Sequence, residues 1–106
     1  MNVNKDQLLT ILSRHIGRGN GITALALAEC LDTYARQIRV LITELREDGV
    51  AVCGHPSTGY FIAGNAAELE ETCQFLRGRA MHSLNLESRL RKVPLADLIG
   101  QMRLRT

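Results

Sequence analysis

The sequence feature that most constrains the fold of this 106-residue chain is an apolar stripe between Asp32 and Gly49. Four apolar residues recur there at the i, i+3, i+4, i+7 spacing that places side chains on one face of an α-helix: Ile38, Leu41, Ile42 and Leu45. Asp32 and Thr33 precede the stripe and have side chains suited to cap a helix, and Gly49 follows it, where helices commonly end. The stretch therefore predicts an amphipathic helix over residues 34–48.

The opposite face of this helix is polar. Its side chains include hydrogen-bonding groups suited to base edges, namely Arg36, Gln37, Arg39 and Thr43. Arginine can form two hydrogen bonds with guanine and glutamine two with adenine, at edges that the DNA major groove exposes. A solvated helix face has the same composition, so the pattern alone leaves both interpretations open. Acidic residues crowd the last turn and favour contact through the first half: Glu44, Glu47 and Asp48.

Two shorter helices are predicted before this one. Asn4 and Gln7 form a plausible capping pair for a helix over residues 5–15, and Thr23 can cap a helix over residues 24–31. Only a tight turn fits between the second helix and the third. The two helices must therefore cross sharply, as in a helix-turn-helix.

A glycine-rich segment, residues 17–21, separates the first two helices. It lacks the Lys-Ser/Thr ending and the acidic partner of a nucleotide-binding loop, so we expect a flexible connection there. Ile22, directly after it, can form a very short strand.

After Gly49 the apolar period changes from helical to alternating. Residues 50–54 and 59–63 have the pattern of two short strands, with a turn over residues 55–58 between them. Ser57 and Thr58 in this turn are candidates for weak contact with the DNA backbone or minor groove. A hairpin at this place, directly after the third helix, is predicted to form a wing.

The remaining chain, residues 65–106, is predicted to be a helical extension. A helix over residues 66–84 has a narrow apolar seam, and Pro94 can open a last helix with a second apolar stripe. These stripes could pair two copies of the chain or fold back on residues 1–64, and we favour a homodimer. The predicted dimerisation residues are Leu69, Cys73, Leu76, Ala80, Leu84, Leu95, Leu98, Ile99 and Met102.

Charge is unevenly distributed along the chain. The formal net charge is +2, yet residues 1–63 contain six basic and six acidic side chains. Residues 76–106 contain seven basic and two acidic side chains. The first part must therefore concentrate any positive charge on one face, whereas the basic extension could contact nucleic acid or an acidic protein partner.

Several classes of protein are disfavoured by the sequence. No run of residues is as apolar as a membrane span and no signal peptide is evident, so we expect a cytoplasmic protein without membrane contact. Three cysteines, Cys30, Cys53 and Cys73, lack zinc-ligand spacing, and we expect no metal and no cofactor. No Ser/His/Asp or Cys/His arrangement indicates an enzyme. The carboxylates at the start of the long helix complement its dipole: Glu68, Glu70 and Glu71.

Short motifs in this order of elements carry a resemblance to a known family. They are residues 27–31 (LAECL), 36–39 (RQIR), 45–46 (LR), 49–50 (GV) and 59–60 (GY). Over about residues 6–63 the chain resembles bacterial winged helix-turn-helix regulators, especially the amino-terminal domains of the biotin-ligase repressors. The chain departs from that pattern at Tyr34, where serine is common, and at Val40, where a basic residue is common.

The resemblance implies a mainly α (α+β) fold of three helices and a two- or three-stranded wing sheet, spanning residues 1–64. It implies a sequence-specific double-stranded DNA-binding protein that regulates transcription in a bacterium or phage, with the helix over residues 34–48 in the major groove. Thr33 and Tyr34, at the start of that helix, could hold phosphate through hydroxyl and backbone amide groups. Tyr34 could equally pack between helices. The alternatives are a protein–protein interaction module and a phage or plasmid replication accessory protein.

Overall fold

The computed structural model describes residues 3–55 and 58–102. These residues are mainly helical, with a short 3₁₀ helix and a two-stranded antiparallel sheet, as predicted for the fold class. The elements are α1 (Lys5–Leu12), the 3₁₀ helix (Arg18–Asn20), α2 (Ala24–Leu31), α3 (Ala35–Glu47), β1 (Val52–His55), β2 (Gly59–Ile62), α4 (Ala66–Arg91) and α5 (Leu95–Met102). The chain forms two compact units, divided between Thr72 and Cys73, inside α4.

Capping side chains begin α1 and α2 where the sequence predicts them. The side chain of Asn4 accepts from the amide of Gln7 at 2.9 Å, and the Gln7 side chain accepts from the amide of Asn4 at 3.1 Å. Thr23 accepts from the amide of Ala26 at 3.1 Å. α1 ends before the predicted His15, whose carbonyl instead accepts a hydrogen bond from the amide of Ile62 in β2 at 2.8 Å.

The turn between α2 and α3 is formed by backbone groups. Asp32 has a left-handed conformation with φ of 52°, and the amide of Thr33 donates to the carbonyl of Ala28 at 2.9 Å. These bonds close α2, as in a Schellman turn. The prediction that Asp32 and Thr33 cap α3 with their side chains is therefore wrong. α3 begins after Tyr34, which makes no side-chain capping bond.

The core of the first unit is built around α3. Its predicted apolar stripe is buried, and it belongs to one cluster with residues of α1, α2 and the hairpin: Leu8, Leu12, Leu27, Ile38, Leu41, Ile42, Leu45, Val52 and Tyr60. Burial of a large aliphatic side chain contributes about 1.5–3 kcal/mol. The stripe therefore fixes the rotation of α3 about its own axis and leaves the opposite face at the surface.

The hairpin pairs in one register, with Cys53 opposite Phe61 and Gly54 opposite Tyr60. Backbone bonds between Tyr60 and Ile22, at 2.9 and 2.7 Å, cover the outer edge of β2. On β1, the outward carbonyl of Gly54 accepts from Arg46 at 2.9 Å, and its amide donates to the hydroxyl of Thr72 at 3.2 Å. Both edges of this small sheet are thus occupied along these residues, which limits pairing with another chain.

The glycine-rich segment before α2 is held in place rather than flexible. Glu68, in the first turn of α4, accepts from the amide of Arg18 at 2.9 Å and from the amide of Gly64 at 2.8 Å. These two backbone donors hold the pKa of Glu68 below its ordinary value. The guanidinium of Arg18 also forms an ion pair with Glu71. Two of the three carboxylates at the start of α4 therefore bind this segment, a role that the sequence analysis did not predict.

In the second unit, α4 continues beyond the predicted Leu84 to Arg91. Lys92 ends it in a left-handed conformation with φ of 57°, and the amide of Val93 donates to the carbonyl of Ser88 at 2.9 Å. α5 begins just after Pro94, whose carbonyl accepts from the amide of Leu98 at 3.0 Å, as the sequence predicts for a last helix.

Candidate nucleic-acid interface

The exposed face of α3 presents the polar residues that the sequence nominates for base contact. Arg36, Gln37, Arg39 and Thr43 are all exposed, opposite the buried stripe. Val40 lies among them and is 48% exposed. The site prediction did not include Val40, although its i+4 spacing from Arg36 was a sufficient signal.

Within residues 3–55 and 58–102, no side-chain hydrogen bond or ion pair holds Arg36, Gln37 or Arg39. Thr43 donates its hydroxyl to the carbonyl of Arg39, one turn earlier, at 3.1 Å. Its hydroxyl oxygen can still accept a hydrogen bond. The donors on the first half of α3 are thus available to an external acceptor, and no internal contact must break first.

Arg46, one turn from the carboxyl end of α3, has a different role. Its Nε donates to the carbonyl of Val52 at 2.9 Å and its Nη2 to the carbonyl of Gly54 at 2.9 Å. Its guanidinium also lies over the ring of Tyr60. Burial raises the pKa of the Tyr60 hydroxyl, and the positive charges of Arg46 and Arg39 act in the opposite direction. Arg46 therefore attaches α3 to the hairpin and does not belong to the exposed donor set.

The carboxyl end of α3 is acidic. Asp48 forms an ion pair with Lys5 of α1 at 2.6 Å, and the hydrogen bond to Asp48 raises the pKa of Lys5. Glu44 and Glu47 are exposed, and neither takes part in an ion pair among the described residues. Negative charge therefore remains at this end of the surface, as the sequence predicts, and basic and polar residues occupy the other end.

The amino end of α3 places two further candidates. Tyr34 immediately precedes the helix and is 81% exposed, so it does not pack between helices. Thr33 is half-buried, and its amide is used to close α2. Its backbone therefore does not serve as a phosphate donor. The hydroxyl of Tyr34 remains at the surface beside the first turn of α3.

The hairpin turn contributes less to this surface. Thr58 is exposed just before β2, whereas the prediction for Ser57 lies outside the described residues. The structure thus gathers Tyr34, Arg36, Gln37, Arg39 and Thr43 on α3, and it places Thr58 on a separate element.

The predicted dimerisation residues differ in exposure. Leu69, Leu76 and Met102 are 40%, 41% and 43% exposed, and Cys73 and Ala80 are also exposed. Leu84, Leu95 and Ile99 are half-buried, and Leu98 is only 3% exposed. Three apolar residues outside the predicted seam are more exposed than its members, namely Phe75, Leu86 and Leu90 at 48%, 49% and 85%.

Comparison with protein-family models, with curated proteins and with solved structures returned no match to this chain. Of the helices that the structure describes, none is both long and apolar enough to cross a bilayer. Across the same residues, no three His, Cys, Asp or Glu side chains are grouped to hold a metal ion.

Proposed function

We propose that residues 1–64 form a winged helix-turn-helix domain that binds double-stranded DNA and regulates transcription, with α3 as its recognition helix. The observation that carries the proposal is the exposed, unengaged donor set on the first half of α3. Arg36 and Gln37 are suited to base edges, and Arg39 to a base edge or a nearby phosphate. The same chemistry would serve a phage or plasmid replication accessory protein. We assign no catalytic role and no cofactor.

The structure supports this use of α3 in a second way. Because Arg46 and Asp48 are committed to contacts inside the fold, the helix is fixed at its carboxyl end while its amino half stays accessible. Rigid placement reduces the entropy lost when side chains dock on DNA. Val40 adds an apolar contact at the centre of the face, suited to the methyl group of thymine.

A protein-interaction module is the second candidate function. The near-neutral charge of residues 1–63 favours it, and so do three exposed apolar side chains on or beside the first half of α3 and on α2: Leu25, Tyr34 and Val40. A protein partner would use these side chains, whereas DNA requires the arginines. The two functions therefore predict opposite sensitivities to salt and to loss of positive charge.

Fluorescence anisotropy of the full chain on random-sequence duplex DNA, across a salt series, tests the proposal. We expect affinity to fall steeply with salt and to fall further in Arg36→Ala/Arg39→Ala, since each lost base contact costs about 1–3 kcal/mol. Arg14→Ala, which removes an exposed arginine elsewhere, is the control and should bind nearly as the unmodified chain. Absence of binding at low salt, or equal losses in both variants, would contradict the proposal.

A further inference from the structure

We infer that α4 pairs two copies of this chain in antiparallel orientation, through a face that includes Phe75, Leu76, Leu86 and Leu90. This inference builds on the proposed pairing of two copies but does not depend on DNA binding. It replaces the seam predicted from sequence with a neighbouring face of the same helix. Antiparallel pairing of identical helices is isologous, so each residue contributes twice to the interface.

The apolar exposure of this face is the first observation. Leu86 and Leu90 are one helical turn apart and are 49% and 85% exposed. Phe75 and Leu76, about three turns earlier, are 48% and 41% exposed. An exposed apolar side chain on its own needs no explanation, but four large ones that share a helix face indicate an interaction surface.

The distribution of side-chain size along α4 matches two-fold pairing. The four apolar residues lie near the two ends of the face, and its middle is an open groove of about 430 Å³, lined by Phe75, Gly78, Arg79, His82 and Ser83. Gly78 has nothing within 4 Å of where a Cβ would be. A two-fold axis near the small residues would let the two helices approach closely, and the ends of each helix would meet the ends of the other.

Charge along α4 selects a second copy as the occupant and sets its direction. The first turns carry only acidic charge, at Glu68, Glu70 and Glu71. The last turns and the residue after them are mainly basic, at Arg89, Arg91 and Lys92, against Glu87. Antiparallel pairing places the acidic end of one helix beside the basic end of the other, whereas parallel pairing would place like charges together.

The first test is the mass of the full chain in solution, measured by light scattering without DNA. We expect twice the chain mass of 11.7 kDa, and dissociation at least tenfold easier in Leu86→Ser/Leu90→Ser. These residues are not in the core, so the variant should keep its helical circular dichroism. Leu25→Ser, at a 64% exposed leucine on α2, is the control for exposure and should remain dimeric.

A further variant separates the two candidate faces. Ala80→Asp lies on the seam predicted from sequence and outside the inferred apolar set, so we expect it to weaken the dimer less than Leu86→Ser/Leu90→Ser. The inference is overturned by a monomeric unmodified chain, or by a dimer that Ala80→Asp dissociates and Leu86→Ser/Leu90→Ser does not.

Cross-linking tests the direction of the pair, because Cys73 is exposed and Cys53 is buried. In a Cys30→Ser background, a short bismaleimide should not join two copies through Cys73. Antiparallel pairing about the middle of α4 would hold those thiols roughly 20 Å apart along the helix, at 1.5 Å per residue. Ser83→Cys in a Cys30→Ser/Cys73→Ser background should cross-link, since Ser83 lies close to the axis. Efficient joining through Cys73 would show parallel pairing and overturn the inference.

Discussion

The guanidinium carbon of Arg46 lies 5.8 Å from the centroid of the Tyr60 ring, so one side chain of α3 covers the aromatic residue at the centre of β2. The same guanidinium donates to the carbonyls of Val52 and Gly54 on the outer edge of β1. The attachment of the hairpin to α3 therefore depends on an arginine that serves as a donor to two backbone acceptors and as a cation over a ring.

Replacement of Arg46 by alanine should lower the free energy of unfolding by about 2–3 kcal/mol, because two carbonyls lose a charged donor and the ring contact is lost. Urea unfolding measures this difference. Arg36→Ala, on the exposed face of the same helix, is the matched control and should change stability by less than about 0.5 kcal/mol. Similar losses in the two variants would show that the guanidinium contacts do not stabilise the fold.

Two glycines should respond in opposite directions to alanine. Gly54 has φ of 84°, and a Cβ there would lie 2.0 Å from the carbonyl oxygen of Gly59. Gly54→Ala should therefore destabilise the protein by more than about 2 kcal/mol. Gly78 lies inside α4 with open space around it, so Gly78→Ala should stabilise the protein by up to about 1 kcal/mol. Thermal unfolding of both variants would show the contrast, and a shift of the same sign in both would contradict it.

Acid should weaken the attachment of the glycine-rich segment to α4. Because the pKa of Glu68 is held below its ordinary value of 4.5, its stabilising contribution is complete above that value and is lost as pH falls through the lower, folded-state pKa. Glu68→Gln should therefore be less stable than the unmodified chain near neutral pH, and the difference should shrink in strong acid. Urea midpoints from pH 2 to 7 measure it, with Glu29→Gln as a control for loss of an exposed carboxylate. A pH-independent difference would assign the effect to packing.

Removal of negative charge from the end of α3 should strengthen DNA binding. Glu44→Gln/Glu47→Gln deletes two exposed carboxylates without touching the donor set. We expect affinity for duplex DNA to rise severalfold at low salt, and the gain to shrink as salt increases, because screening weakens repulsion from phosphate. Glu29→Gln on α2 should have a smaller effect. Unchanged affinity in the double variant would mean that this end of α3 lies away from the phosphates.

Val40 should make the proposed interface sensitive to thymine methyl groups. On a duplex selected for tight binding, replacement of each contacted thymine by uracil removes one methyl group, which contributes about 0.8 kcal/mol when buried, or about fourfold in affinity. Val40→Ala should reduce that difference and leave the salt dependence unchanged. If uracil substitution has the same effect on both proteins, Val40 does not contact a thymine methyl.

The elements that could be predicted from sequence are those fixed by local chemistry. The Asn4 and Gln7 capping pair, Thr23 as the cap of α2, and the turn at Gly49 depend on residues within a few positions of one another. The hairpin and α5 follow from short periodic patterns between glycine or proline residues. The buried stripe of α3 was also predictable, because four positions share one helical period.

The features that sequence analysis missed depend on contacts between residues far apart in the chain. Asp32 closes α2 in a left-handed conformation that glycine or asparagine would have indicated more clearly. Arg18 and Glu68 are fifty residues apart, so their hydrogen bond leaves no local pattern. The position of Tyr34 likewise depends on how the turn directs the chain, and its composition was compatible with both burial and exposure.

The candidate site was predictable in its residue types but not in its division of roles. Arg36, Arg39 and Arg46 have the same side chain on one helix, and only their rotation about its axis separates accessible donors from the residue that holds the hairpin. On α4, the regular four-and-three spacing at Leu69 to Leu84 drew attention from Leu86 and Leu90, which are more exposed.

The opposed placement of Arg36 and Arg46 on α3 has a consequence for how this protein can change its target. Substitutions at positions 36, 37, 39, 40 and 43 alter the outward face without removing a contact that holds the fold. A library randomised at these five positions should therefore yield mostly folded proteins. Selection on such a library can then retarget binding while the scaffold stays constant.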